Sequence, residues 1–245
     1  MLQAWLDAME ASGRTKQNYM RVIGTLFRFG SARRYLPKDA IEEVKAVRQA
    51  KADNSEIEIF TPAEFAEILN TARAEMVPWL AIGGLAGLRS AELGRLDWSE
   101  VNLAERHIEI KASKAKTAAR RLAPITDNLA AWLAPYAKPA GKVTGFESWW
   151  NQIPKLVEEM NRVRHERGNT AKFVWKHNGL RHSFCSYRLA SIKNAAQVAL
   201  EAGNSPQMIF KHYRQLVTES EAGKWFSVQP QAAQNVVRLN KEAAA

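Results

Sequence analysis

Apolar positions recur with a helical period along most of this chain, and only one short region alternates in the manner of strands. Between residues 15 and 35, Tyr19, Val22, Ile23, Leu26, Phe27 and Phe29 fall at helical spacing with basic residues between them, which predicts an amphipathic helix. A second short helix is expected over about 38–49. Lys51-Ala52-Asp53-Asn54-Ser55-Glu56 is polar and without period, as in a linker. Thr61-Pro62-Ala63-Glu64 combines a capping box with proline at the first helical position, and a further helix runs through Trp79 to Leu85. Ser90 is expected to cap a short helix carrying Glu92 and Leu93. His107–Lys111 and Arg121–Ile125 read as two strands joined by a basic hairpin. Beyond them, Asp127 and Ser148 are expected to cap helices, the second running to about 166. Asn178 is the expected cap of a helix carrying Arg181, Ser205-Pro206 opens one that ends at Tyr213, and a last helix begins near Thr218.

These elements predict a mainly α (α+β) protein: a helical domain over 55–230 with a small antiparallel β-sheet, preceded by a short helical N-terminal segment with its linker (1–54) and followed by a tail (231–245) with an alanine-rich end. At 245 residues the chain can bury a sizeable core.

Charge changes the picture more than composition does. The net charge is +10, which points to a polyanionic partner. Residues 11–38 contain Arg14, Lys16, Arg21, Arg28, Arg33, Arg34 and Lys38 with no acid, and residues 110–126 contain Lys111, Lys114, Lys116, Arg120 and Arg121 with no acid. From 161 to 193, eight cations, Lys176 among them, accompany the single acid Glu166. Converging in space, such runs would line a groove with phosphate contacts, and double-stranded DNA is the expected partner. The single cysteine, Cys185, excludes an intramolecular disulfide and fits a reducing compartment, where a buried, inert thiol is expected. There is no signal-peptide pattern and no apolar run approaching 18 residues, so a soluble cytoplasmic protein without membrane association is expected. No cofactor is expected: the five histidines form no short-spaced ligand pair, and no phosphate-binding Gly-Lys-Ser/Thr loop is present.

The candidate chemistry lies in Arg89, Lys116, Arg181 and Tyr213, a set of cations with one nucleophile. A hydroxyl attacks a phosphodiester only when the developing negative charge is clamped. Arg89 lies in Gly87-Leu88-Arg89-Ser90-Ala91-Glu92-Leu93, and Lys116 precedes Arg121-Leu122-Ala123-Pro124 by five residues. Arg181 lies in Leu180-Arg181-His182-Ser183-Phe184, 23 positions before Asn204, and Tyr213 follows Asn204 by nine. In this order and spacing, over roughly residues 60–225, the chain resembles the tyrosine recombinase (phage integrase) family.

The resemblance implies a helical catalytic domain preceded by a helical DNA-binding domain, the two clamping DNA, and a homotetramer on two DNA sites. The family's N-terminal domain is usually larger than residues 1–54, so a shortened domain, or a sequence that begins within it, is expected. The resemblance implies site-specific recombination. Tyr213 would attack the scissile phosphate to give a 3′-phosphotyrosyl bond, Arg89 and Arg181 would hold the non-bridging oxygens, and Lys116 would protonate the leaving 5′ oxygen. Lys111 and Lys114 compete for the last role, and Glu92 is placed behind an arginine that it orients. Two positions depart from the family. Asn178 stands where a histidine three residues before Arg181 is usual, with His177 one position early. Asn204 stands where a second histidine or a tryptophan is usual, and asparagine cannot act as an acid or base near neutral pH. These changes leave open a catalytically impaired protein that only binds DNA. His177, Asn178 and Asn204 are retained as candidate site residues. Arg21, Arg28, Lys114, Arg120, Lys176 and His182 are candidate DNA contacts, His182 with a structural role as the alternative. The apolar residues from Leu216 to Val228 are candidates for docking either on a neighbouring protomer or in cis.

Overall fold

The computed structural model describes residues 1–37, 39–51, 56–113, 120–146, 148–214 and 216–230. The chain divides into two compact units, Met1–Glu56 and Ile57–Ala245.

The first unit contains α1 (Leu2–Ala8), α2 (Gly13–Ala32) and α3 (Ala40–Ala46). Ser12 caps α2 by accepting a hydrogen bond from the Thr15 amide. Leu6, Met20, Val44 and Val47 form a small core, with Leu2, Ile23 and Phe27 packed against it. The apolar face of α2 is therefore narrower than its sequence suggests: Ile23 and Phe27 pack inward, whereas Tyr19, Val22, Leu26 and Phe29 are exposed. α1 was not expected, since so short a segment shows less than two full helical turns of pattern.

The second unit is built around α5 (Val77–Leu85), every residue of which is buried. A helix apolar on all sides has no solvent face and belongs in the middle of a domain. It packs against α4 (Pro62–Thr71), α7 (Asp127–Leu133) and α9 (Gly179–Ile192). The capping box at Thr61 and Glu64 forms as read. Two caps move by one residue. Arg89, not Ser90, precedes α6 (Ser90–Leu93), because the Glu92 carboxylate reaches back to the Arg89 amide. Thr126, not Asp127, precedes α7.

The strands are β1 (Val101–Asn102), β2 (His107–Ile110) and β3 (Arg121–Pro124), antiparallel in the order β1-β2-β3. Ile108 pairs with Ala123 and Ile110 with Arg121, placing Ile108, Ile110 and Ala123 in the core. β1 was not expected, being only two residues long. A single turn of 3-10 helix, Trp149–Asn151, precedes α8 (Gln152–Glu166), and the Ser148 side chain makes no capping bond to it.

The remaining helices are α10 (Ala195–Ala202), α11 (Pro206–Tyr213) and α12 (Glu219–Phe226). Ser205 caps α11 through the Met208 amide, and Thr218 caps α12 in a reciprocal box with Glu221. α10 was not expected; its alanine-rich sequence gives little contrast, although Asn194 marks its start by accepting from the Gln197 amide. The docking of α12 is settled by Trp225. Its ring lies between Phe65 at 4.3 Å and Tyr187 at 4.4 Å, both nearly parallel, and its indole N–H donates to the Gly84 carbonyl at 3.1 Å. Ala222 and Trp225 of that segment are thus fully buried within their own unit, whereas Leu216 stays exposed. Among the described residues, no helix is long and apolar enough to cross a membrane.

Candidate active site

The start of α6, the strand β3, the first turn of α9 and the α10–α11 junction bring together Arg89, Arg121, Arg181, His182 and Gly203. Arg89 and Arg181 both line a cleft of about 570 Å³. Its other wall is aromatic, with Trp79, Trp149, Trp150 and Trp175. Trp149 stacks on Trp79 at 5.2 Å and on Trp150 at 3.5 Å, and Trp150 is exposed. No periodic pattern in the sequence marks this wall.

Each arginine is held by backbone carbonyls. The Arg181 Nη1 donates to the carbonyls of Gly87 and Ala202, both at 2.6 Å, while its buried Nη2 has no hydrogen-bond partner among the described residues. Burial, and then the nearby charge of Arg89, lower the Arg181 pKa from its ordinary value. A buried guanidinium with an unmatched donor, at the floor of a cleft shared with a second guanidinium, favours an anion there. Arg89 donates through Nη1 to Glu92 at 3.1 Å and through Nη2 to the Gly203 carbonyl.

Two glycines make this framework possible. Gly87 has φ +66°, and a Cβ there would lie 2.2 Å from the Phe184 ring. Gly203 has φ +64°, and its Cβ would lie 2.8 Å from the Arg121 guanidinium. Both need the left-handed region and an absent side chain, and both lend a carbonyl to a site arginine.

Glu92 is the buried anchor beneath. It pairs with Arg121 at 2.7 and 3.1 Å as well as with Arg89, and Arg121 donates further to the Glu201 carbonyl at 3.1 Å. Burial opposes ionisation of Glu92. The hydrogen bonds from Arg121 and the Arg89 amide, with the two guanidinium charges, nevertheless hold its carboxyl below the usual range. The expected orienting role of Glu92 therefore extends to a second arginine, Arg121, which the sequence places at a strand start and in the basic 110–126 run but which is buried and paired inward.

Tyr213, at the C-terminus of α11, is buried. Its phenol lies 2.8 Å from His182 Nδ1 and borders Cys185. Burial first, and then Cys185, push the phenol pKa up, while Arg181 and Arg89 act in the opposite sense. Cys185 is fully buried, and burial pushes its thiol up to about 11. His182 lines the arginine cleft on one side and meets Tyr213 on the other.

The remaining candidates are spread out. Asn204 accepts from the Ser205 amide at 3.1 Å, directly after Gly203. Asn178 lines the cleft in the left-handed conformation, φ 54°, and its side chain makes no capping bond, contrary to expectation. His177 is exposed. Lys114 and Lys116 lie outside the described residues, while Lys111 pairs with Glu100 at 3.4 Å. Arg120 is an exposed partner of Glu109 at 2.7 Å. Arg21 and Arg28 lie on the exposed surface of α2 and reach Asn18 and Thr25. Lys176 points inward instead of outward: its ammonium meets the Ile59 carbonyl and the Glu64 carboxylate at 2.8 to 3.0 Å. The 161–193 run is likewise less available than its sequence suggests. Arg162, Arg164, Arg188 and Lys193 pair with Glu159, Glu67, Glu201 and Glu219, acids that lie outside the run.

Comparison of the sequence with protein-family models and with curated proteins finds no match. Solved structures do match. The chain is similar to the Tn1549 transposon integrase in complex with transposon right end DNA, with TM-score 0.66 and 15% identity over 91% of this chain and 83% of that one. It is similar to the lambda integrase bound to DNA, with TM-score 0.59 and 15% identity over 87% and 78% of the two chains. It is similar to XerA recombinase, with TM-score 0.52 and 14% identity over 89% and 83%. The fold is that of the tyrosine recombinases.

Proposed function

We propose that this chain is a site-specific DNA recombinase that cleaves and rejoins strands through a 3′-phosphotyrosyl intermediate. The observation that supports it best is the pairing of Arg89 and Arg181 at one cleft, with an unmatched Arg181 donor, beside a Tyr213 phenol that feels both charges. In this reading the scissile phosphate enters the cleft and its non-bridging oxygens accept from the two guanidiniums. Rigid donors aimed at developing charge are worth several kcal/mol in such a site. The Tyr213 oxygen attacks phosphorus, a phosphotyrosyl bond forms and the 5′ oxygen leaves with a proton from Lys116. The covalent bond conserves the phosphodiester energy, so rejoining needs no nucleotide. Double-stranded DNA is the partner, and the active assembly is a homotetramer on two sites. Residues 1–54 form a short DNA-binding domain ahead of the catalytic domain at 55–230, with Arg21, Arg28 and Arg120 contacting phosphates.

A binding-only protein on the same scaffold is the second reading. It is favoured by Asn178 and Asn204, which cannot exchange protons where the family usually has a histidine and a histidine or tryptophan.

Covalent capture separates the two. The full-length protein is incubated with nicked duplexes drawn from the DNA flanking its own gene and then denatured. A protein–DNA adduct that is absent in Tyr213→Phe supports the recombinase. Tight binding to a defined site with no adduct supports the binding protein.

A further inference from the structure

Of the side chains that line the arginine cleft, His182 also touches the nucleophile. Its Nδ1 lies 2.8 Å from the Tyr213 hydroxyl, with the two rings tilted at 36° and their centroids 5.7 Å apart. That distance is within reach for direct proton transfer. We infer that His182 is the base that takes the Tyr213 proton as the phenol attacks, a deepening of the recombinase reading on which it rests.

The surroundings fit an acceptor. Burial, and then the charges of Arg181, His177 and His212, lower the His182 pKa to about 4, so the ring is neutral at physiological pH and one nitrogen is free to accept. Tyr213, Arg181, His177 and His212 are the groups that face or act on it. Cys185, which also borders the phenol, has its own thiol raised to about 11 and is a poor acceptor. Asn178 and Asn204 cannot take a proton. The arginine guanidiniums remain charged. A phosphate dianion-like transition state in the cleft would offset the cationic surroundings of His182 and strengthen it as a base when needed. In this step the Tyr213 Oη–P bond forms, the P–O5′ bond breaks, the phenol proton passes to His182 Nδ1, and Lys116 protonates O5′. In rejoining, His182 returns the proton to the departing phenolate.

The test uses the full-length protein and a nicked suicide duplex in single turnover. Formation of the Tyr213 adduct is timed for wild type, His182→Ala and His182→Gln between pH 5.5 and 9. The inference predicts a loss of about 10²–10⁴-fold in both variants, the range that general acid–base catalysis supplies. It also predicts that the residual rate rises tenfold per pH unit, as hydroxide replaces the base, and that added imidazole restores part of the His182→Ala rate. Variants within about threefold of wild type, or slow variants with neither hydroxide dependence nor imidazole rescue, overturn the inference and leave the recombinase reading standing. No adduct from wild type overturns both. A measurement on the DNA-free wild-type protein reads the tautomer without relying on variant activity. Nitrogen-15 NMR of labelled histidine, with His182 assigned through His182→Gln, should show the tautomer protonated at Nε2 and bare at Nδ1. A proton on Nδ1 would make His182 the donor to Tyr213 and overturn the inference.

Discussion

Removing the Glu92 carboxylate should damage the site from below. Glu92 is 2% exposed and accepts from the Arg89 amide and side chain and from two nitrogens of Arg121, whose side chain is 9% exposed. In Glu92→Ala the Arg121 guanidinium stays buried and, among the described residues, keeps only the Glu201 carbonyl as a partner. Breaking a buried pair by deleting one member costs about 3–5 kcal/mol, because the other charge is left uncompensated. For a protein of this size that corresponds to a fall of roughly 6–20 °C in Tm. Chemical denaturation at pH 7 measures it directly. Adding Arg121→Met removes the stranded charge, so the double variant should be more stable than the sum of the single losses predicts, by about 2 kcal/mol or more. The pH dependence gives a second check. The folded Glu92 pKa lies below its unfolded value, so the pair's contribution is complete above about pH 4.3 and is lost as pH falls through the folded pKa. The gap between wild type and Glu92→Gln should therefore be widest near neutrality and shrink on acidification. A loss below about 1 kcal/mol in Glu92→Ala, or strict additivity with Arg121→Met, would refute the reasoning.

Four further outcomes are expected. Gly87→Ala forces a Cβ to 2.2 Å from Phe184 at a positive φ, and should cost about 2–4 kcal/mol by denaturation while displacing the Arg181 carbonyl partner. Trp225→Ala empties the slot between Phe65 and Tyr187 and strands the Gly84 carbonyl, so denaturant melts should show a loss of about 3–5 kcal/mol. Arg21→Ala and Arg28→Ala should each lower the slope of log affinity for duplex DNA against log salt by about 0.9, read by fluorescence anisotropy, if each neutralises one phosphate. Lys176→Ala should leave that slope unchanged and instead loosen the Thr61–Glu64 cap.

Local chemistry made most of the second unit legible. Thr61, Ser205 and Thr218 announce their helices because a cap is a contact over three residues, visible within the sequence window that reads it. The β2–β3 pair was visible from alternation alone. The errors are of two kinds. Ser90 and Asp127 each looked like caps, but in α6 the Glu92 carboxylate serves the preceding amide, and α7 begins one residue earlier. Tyr19, Val22, Leu26 and Phe29 share the helical period with Ile23 and Phe27, yet a three-helix unit has too little partner surface to cover them all. The candidate site was half visible. Arg89, Arg181 and Tyr213 stood out by spacing, whereas their supports come from far along the chain. Gly203 meets Arg89 across 114 positions, and Arg121 meets Glu92 across 29, separations that no local pattern encodes. The sequence suggests a packing or DNA-contacting role for His182, because its place beside Tyr213 depends on how α11 folds back on α9.

The central claim is that Tyr213 becomes the covalent carrier of the DNA strand, and peptide mapping of a trapped adduct tests it most directly. The adduct formed on a nicked duplex is digested with protease and nuclease and sequenced by mass spectrometry. The account predicts a nucleotide joined through its 3′ phosphate to Tyr213 of the His212-Tyr213-Arg214 segment, with no such peptide from Arg89→Ala or Arg181→Ala. A nucleotide on any other residue, or Tyr213 unmodified on DNA the protein demonstrably cleaves, would contradict it.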